Sequence, residues 1–212
     1  MLNILLPALG DTIYMSFLAT FFAVIIGFFL AIILILTSKD GLKENLKVYR
    51  TLDVIINTLR SFPFIILMII LFPLTKFLIG KSIGTTAAII PLTIGAAPFI
   101  ARLIESALKE VEVGVIEAAK SFGASDFQII FKVMIIEALP AIISAITLTL
   151  ITVIGFSAMA GAVGGGGLGD VAIKYGYYRF QTDTMIYTVL ILIALVQICQ
   201  SVGDYLYKIT KK

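Results

Sequence analysis

The sequence predicts an all-α, polytopic membrane protein with five transmembrane helices and a two-helix loop on one side of the bilayer. Three observations predict it. The chain of 212 residues is 60% hydrophobic and 14% charged, against about 45–50% and about 25% for an average soluble domain. Charge is absent from residues 12–37, 61–75, 82–101, 138–169 and 184–203. Lys and Arg are shared unevenly between the two sides of a five-span arrangement, twelve on one and four on the other.

The first span is read over residues 12–37. Its apolar residues go all round, with no one-sided stripe. At about 1.5 Å per residue such a helix reaches about 39 Å, longer than the ~30 Å hydrocarbon core. Asp11 stands where an N-cap would. No Lys or Arg precedes it, so the segment reads as a retained span rather than a secretory signal. Residues 39–50 follow as a polar loop or surface helix. The second span extends to about 56–79, with Arg60 and Lys76 near its ends, where long basic side chains snorkel to the interface. Pro63 and Pro73 imply bends that neighbouring helices tolerate. The third span covers about 82–103 and contains Pro91 and Pro98. A loop of about 104–136 separates it from the fourth span, about 138–161. The fifth covers about 184–203. No linker divides the chain, so 1–212 reads as one transmembrane domain with a core of about 12–203.

Cytoplasmic loops carry the excess of Lys and Arg. The basic side holds residues 39–50, Arg60, the 102–132 stretch and the C-terminal tail. The N-terminus is therefore expected outside, and the 104–136 loop and C-terminus in the cytoplasm.

The loop itself has helical spacing. Ala107, Leu108, Val111, Val115, Ala118, Ala119 and Phe122 share one face if residues 105–122 form a helix. Glu105 and Lys109 form an i,i+4 pair. Gly123 stands where a helix stop would. Ser125 and Gln128 spell a capping box that starts a second helix at Asp126. Ala118, Ala119, Gly123 and Ala124 are small enough to let another protein approach the backbone, and Glu117 offers a polar contact at the rim. An ordinary connecting loop accounts for the same spacing.

Glu117-Ala118-Ala119, three residues, then Gly123-Ala124 resembles the EAA loop of ABC importer permeases. Leu139-Pro140 supplies the Leu-Pro pair of that pattern, while Ile136 replaces the Pro that many relatives place before Glu137. Residues 146–183, with Ser157-Ala158-Met159 and the glycine run, are similar to the corresponding region of methionine importer permeases. Residues 11–22 resemble their first span. The resemblance covers nearly the whole chain. It implies a cytoplasmic two-helix coupling loop that docks on an ATPase through Glu117, Ala118, Ala119, Gly123, Ala124 and Ser125. It places Phe156, Ser157 and Met159 at a translocation pathway. It also implies two copies of this chain, two ATPase subunits, an external substrate-binding protein, and a multi-pass location in the cell (cytoplasmic) membrane. ATP and Mg would then sit on the ATPase, with no cofactor bound by this chain.

Other motifs read more plainly. Gly164 to Gly169 satisfies G-x-G-x-x-G, but a nucleotide fingerprint needs a preceding strand. No G-x-x-x-x-G-K-[ST] occurs, so no ATP site of its own is expected. The glycines instead suit a turn and close packing. Gly161 and Gly165 have small-xxx-small spacing, and with Ala162 they are candidates for the contact between copies. With His absent and one Cys, Cys199, neither a metal site nor a triad is expected, and the chain does not read as an enzyme. Glu137 reads as an interfacial carboxylate, and Gln197 and Gln200 as bonds to neighbouring helices. The leading reading is the permease subunit of an ATP-driven methionine importer. A stand-alone secondary transporter or channel is the alternative, and would need acidic groups near the midplane. A permease for another amino acid or a short peptide fits the spans nearly as well.

Overall fold

The computed structural model describes residues 1–211, all helix and connection without a strand. Helix α1 spans Leu2–Thr37. It starts earlier than expected, and Asp11 lies exposed inside it rather than capping it. Pro7 lies inside α1, where its missing N–H leaves the Asn3 carbonyl without its helical donor, close to the helix start.

The apolar surface of α1 is uniform, but residue size along it is not. Ala8, Thr12, Ala19, Ala23, Gly27 and Ala31 are buried while Phe17, Phe21 and Phe29 are exposed. Small groups admit close approach of another helix where hydrophobicity cannot direct packing. Helix α5, Thr85–Lys109, takes that place and packs along α1 more extensively than any other helix pair. A side chain on Gly27 would collide with Ile100 and the backbone of Ala97.

Between them, α2 spans Leu46–Ser61, α3 Phe64–Ile70 and α4 Phe72–Ile79. The expected second span of about 56–79 is cut at Phe62-Pro63, where α2 and α3 meet at 103°. Proline excludes the helical region for the residue before it, and Phe62 is extended. Residues 56–61 therefore leave the span and belong to α2, an amphipathic helix lying across the bundle. Leu71 alone separates α3 from α4.

The expected single helix over 105–122 is also broken. α5 runs on to Lys109, and α6, Val113–Ser121, starts afresh after Glu110–Glu112. The chain then runs through α7, Asp126–Gln128, a π-helical turn, Ile129–Met134, and α8, Ile135–Glu137, into α9, Leu139–Ala162. Short α10, Gly167–Val171, leads through a second π-helical turn to α11, Thr182–Thr210. Helices α1, α5, α9 (with its continuation to Tyr177) and α11 are each long and apolar enough to cross a membrane, and the number rises to five if the bent pair of α2 and α3 is counted as one span.

The glycine run folds back on the bundle. Gly164, Gly166 and Gly167 have positive φ. Leu168 N–H donates to Thr12 Oγ1 at 2.8 Å, and Gly84 N–H donates to Gly164 O at 2.8 Å. A Cβ on Gly161 would meet the backbone of Gly169 and Asp170, and one on Gly165 the backbone of Ala160. The closeness these two glycines allow is used inside the chain, between the end of α9 and the segment that follows it. Ala162 between them is exposed.

Candidate functional site

At one end of the bundle, α6 projects without a single buried residue. Its end is a Schellman turn. Gly123 N–H donates to Lys120 O at 2.9 Å and Ala124 N–H to Ala119 O at 3.1 Å, with Gly123 at φ +77°. The expected capping box follows: Gln128 N–H donates to Ser125 Oγ at 3.3 Å, and Ser125 N–H to Gln128 Oε1 at 2.9 Å. Two caps back to back make a fixed elbow between α6 and α7. Lys43 reaches Asp126 at 3.7 Å from the loop after α1.

The two faces of this elbow differ. Ile116, Ala119 and Ala124 lean on the core beneath. Glu117, Ala118, Gly123 and Ser125 are exposed, and Phe122 is 92% exposed. Below the elbow lies a cavity of about 540 Å³ bordered by Leu36, Leu108, Ile116, Lys120 and Met134. An exposed aromatic beside small residues, on a rigid two-helix turn, is a surface suited to insertion into a partner's groove.

α7, its π-helical turn, α8 and α9 follow one another with only Ala138 between α8 and α9, so the elbow is joined to α9 by nearly continuous helix. There the three pathway residues of the sequence reading diverge. Phe156 is half-buried and stacks flat on Phe64, with centroids 4.4 Å apart and planes 1° from parallel. Met159 is half exposed. Ser157 is buried and its hydroxyl donates to Ile154 O at 2.7 Å. Its burial, rather than this bond, sets it apart from the half-exposed Met159. Phe64 and Phe156 border a cavity of about 170 Å³ together with Arg60, Phe62, Gly95 and Phe99.

A charged cluster also joins α2 to α5, and only one pair of it was legible beforehand. Glu105, whose side chain is 3% exposed, receives Arg102 Nη1 at 2.7 Å, Lys109 Nζ at 2.6 Å and the Tyr49 hydroxyl at 3.0 Å. Arg102 also pairs with Asp53. The Glu105–Lys109 pair is visible from i,i+4 spacing. Tyr49 and Asp53 lie on another helix, and nothing local signals them. Glu137 is exposed, as an interfacial carboxylate would be. Gln200 instead donates to Asp204 of its own helix at 2.8 Å rather than to a neighbour. Among the described residues no group of three or more His, Cys, Asp and Glu side chains gathers as a metal site would.

Residues 23–212 match the family described as binding-protein-dependent transport system inner membrane component. The probable D-methionine transport system permease protein MetI of Vibrio cholerae is 53% identical over 206 residues, covering 97% of this chain and 92% of that protein. The methionine import system permease protein MetP of Bacillus subtilis is 51% identical over 181 residues, covering 85% and 81%. Among solved structures, a chain of the MetNI methionine ABC transporter in an inward-facing conformation superposes with a TM-score of 0.98 at 43% identity, covering 100% of this chain and 98% of that one.

Proposed function

Since this chain belongs to the binding-protein-dependent transport system inner membrane component family, we propose that it is the permease subunit of an ATP-driven importer that carries methionine across the cytoplasmic membrane. The observation that carries the reading is the likeness to permeases named for methionine over almost the full length, at 53% identity. The superposition on the inward-facing MetNI chain supports it independently. Two copies of the chain form the passage, and an external binding protein delivers the substrate. Two ATPase subunits hold ATP and Mg. This chain performs no chemistry, and its work is movement.

The elbow of α6 and α7 is the handle. Glu117, Ala118, Gly123 and Ser125 face outward for the ATPase, and Phe122 stands proud of them. When the ATPases close on ATP, the elbow moves with them and α9 follows, carrying Phe156 and Met159. The spans thereby alternate between inward and outward openings. The excess of Lys and Arg in the loops supports a cytoplasmic elbow and C-terminus and an outside N-terminus.

The test is uptake of radiolabelled methionine into vesicles holding this chain, its ATPase and its binding protein. Accumulation that requires ATP on the ATPase side is expected. Robust uptake of a different amino acid, with none of methionine, would reject the substrate while sparing the importer.

A further inference from the structure

We propose that the cavity bounded by Arg60, Phe62, Phe64, Gly95, Phe99 and Phe156 is a subsite at which an apolar amino acid pauses in passage, its carboxylate on the Arg60 guanidinium. The inference rests on the importer reading above and deepens it.

The bend at Pro63 creates the arrangement. It turns α2 across the bundle by 103°, so that Arg60, in the last turn of α2, borders a cavity walled by α3, α5 and α9. Among the described residues no carboxylate pairs with Arg60, a condition it shares with most of the Lys and Arg residues; what distinguishes it is its place at the edge of this cavity. Arg60 is exposed at the mouth of this apolar hollow, and a guanidinium within reach of it is a binding group for an anion, since its planar fork matches a carboxylate in two parallel bonds.

The rest of the wall suits the remainder of the ligand. Phe64 and Phe156 present a stacked pair, and aromatic faces attract both a thioether sulfur and an ammonium. Gly95 keeps the hollow open: a Cβ there would stand 3.2 Å from the Phe64 ring. The volume of about 170 Å³ exceeds the ~30 Å³ of a single water several-fold, the scale of one amino acid. One charged contact at an accessible mouth gives a weak site, which a transit site must be if the solute is to leave. The walls come from three helical segments, and α9 is the one that continues from the elbow. Movement of the elbow therefore changes the shape of the hollow.

The experiment uses the complete importer in vesicles, with radiolabelled methionine and a photoreactive methionine carrying a diazirine in its side chain. Wild-type vesicles are expected to accumulate methionine, and irradiation to label Phe62, Phe64, Phe99 or Phe156, with excess methionine competing. Arg60→Gln should lower accumulation about tenfold, the worth of one lost charge-assisted contact. Arg60→Lys should recover part of it. Gly95→Val, which fills the hollow and keeps the charge, should abolish the labelling. All three variants should retain ATP hydrolysis stimulated by loaded binding protein, which reports correct assembly. Labelling outside the cavity, or wild-type accumulation by Arg60→Gln, would overturn the subsite and leave Arg60 an anchor to lipid headgroups. If wild-type vesicles accumulate another amino acid and not methionine, the substrate reading falls, and Arg60→Gln assayed on that amino acid still decides the subsite.

Discussion

The Tyr49 hydroxyl donates to Glu105 Oε1 at 3.0 Å, joining two residues 56 positions apart. The bond closes a cluster in which Arg102 and Lys109 both neutralise the same carboxylate. It locks the crosswise helix α2 to the end of α5, so the bent second segment is held from below rather than left to swing. Removing one partner of a buried ion pair strands the others and costs about 3–5 kcal/mol. Glu105→Ala is expected at or below the bottom of that range, because Lys109 is 44% exposed and Arg102 keeps its pair with Asp53. Glu105→Gln keeps the acceptor oxygen for Tyr49 and should cost less. Thermal unfolding of the detergent-solubilised chain measures both. Equal midpoints for wild type and Glu105→Ala would show that the cluster is solvated and holds nothing.

Gly123 permits a clean separation of space from conformation. An added Cβ would meet nothing within 4 Å, yet its φ is +77°. Any loss of stability of the isolated chain on substitution is therefore conformational. Gly123→Asn is expected to be tolerated, because Asn enters the left-handed region readily. Gly123→Val is expected to cost at least the ~1–2 kcal/mol of a left-handed L-residue and to undo the Schellman turn. In the assembled importer the Val variant should hydrolyse ATP with much less uptake per ATP, and Glu117→Lys should weaken ATPase capture. Normal coupling in both would make the elbow a mere connection.

Orientation follows from charge alone, twelve basic residues against four. Reporter fusions at Gly41 and after Lys212 should both report cytoplasm. A periplasmic signal at either position would invert the reading.

Composition and uncharged runs were enough to place four of the helical spans and the elbow, because membrane burial and capping are local demands. Ser125, Gln128 and Gly123 act within a few residues of themselves, and their geometry was legible for that reason. Three things were not. The 103° turn at Phe62-Pro63 was foreseen only as a bend, since tertiary packing sets how far a proline break opens. The size stripe of α1 was hidden because Phe and Ala both count as apolar. Hydrophobicity cannot distinguish the face that meets α5 from the face that meets lipid. Tyr49, Asp53 and Arg102 come together only through the fold. The same holds for Arg60 and Phe156, which lie on α2 and α9 and meet at one cavity.

Contact between copies is the last prediction, and the glycines narrow it. Gly161 is buried against Gly169 and Asp170, while Ala162, the next residue, is exposed. Neighbouring positions should therefore respond oppositely. Gly161→Val inserts atoms where two backbones already touch, and overpacking of this kind costs about 1–3 kcal/mol. It is expected to lower the yield of folded chain whether or not copies associate. A cysteine at Ala162, in a chain whose buried Cys199 is replaced by Ala, should leave folding intact and form a cross-link between copies in the assembled importer. The two measurements are independent, because folding yield is read from the isolated chain and cross-linking from the complex. Absence of the cross-link in a complex shown to hold two copies would move the contact elsewhere on α9 or to α11. A complex holding one copy would refute the two-fold arrangement itself.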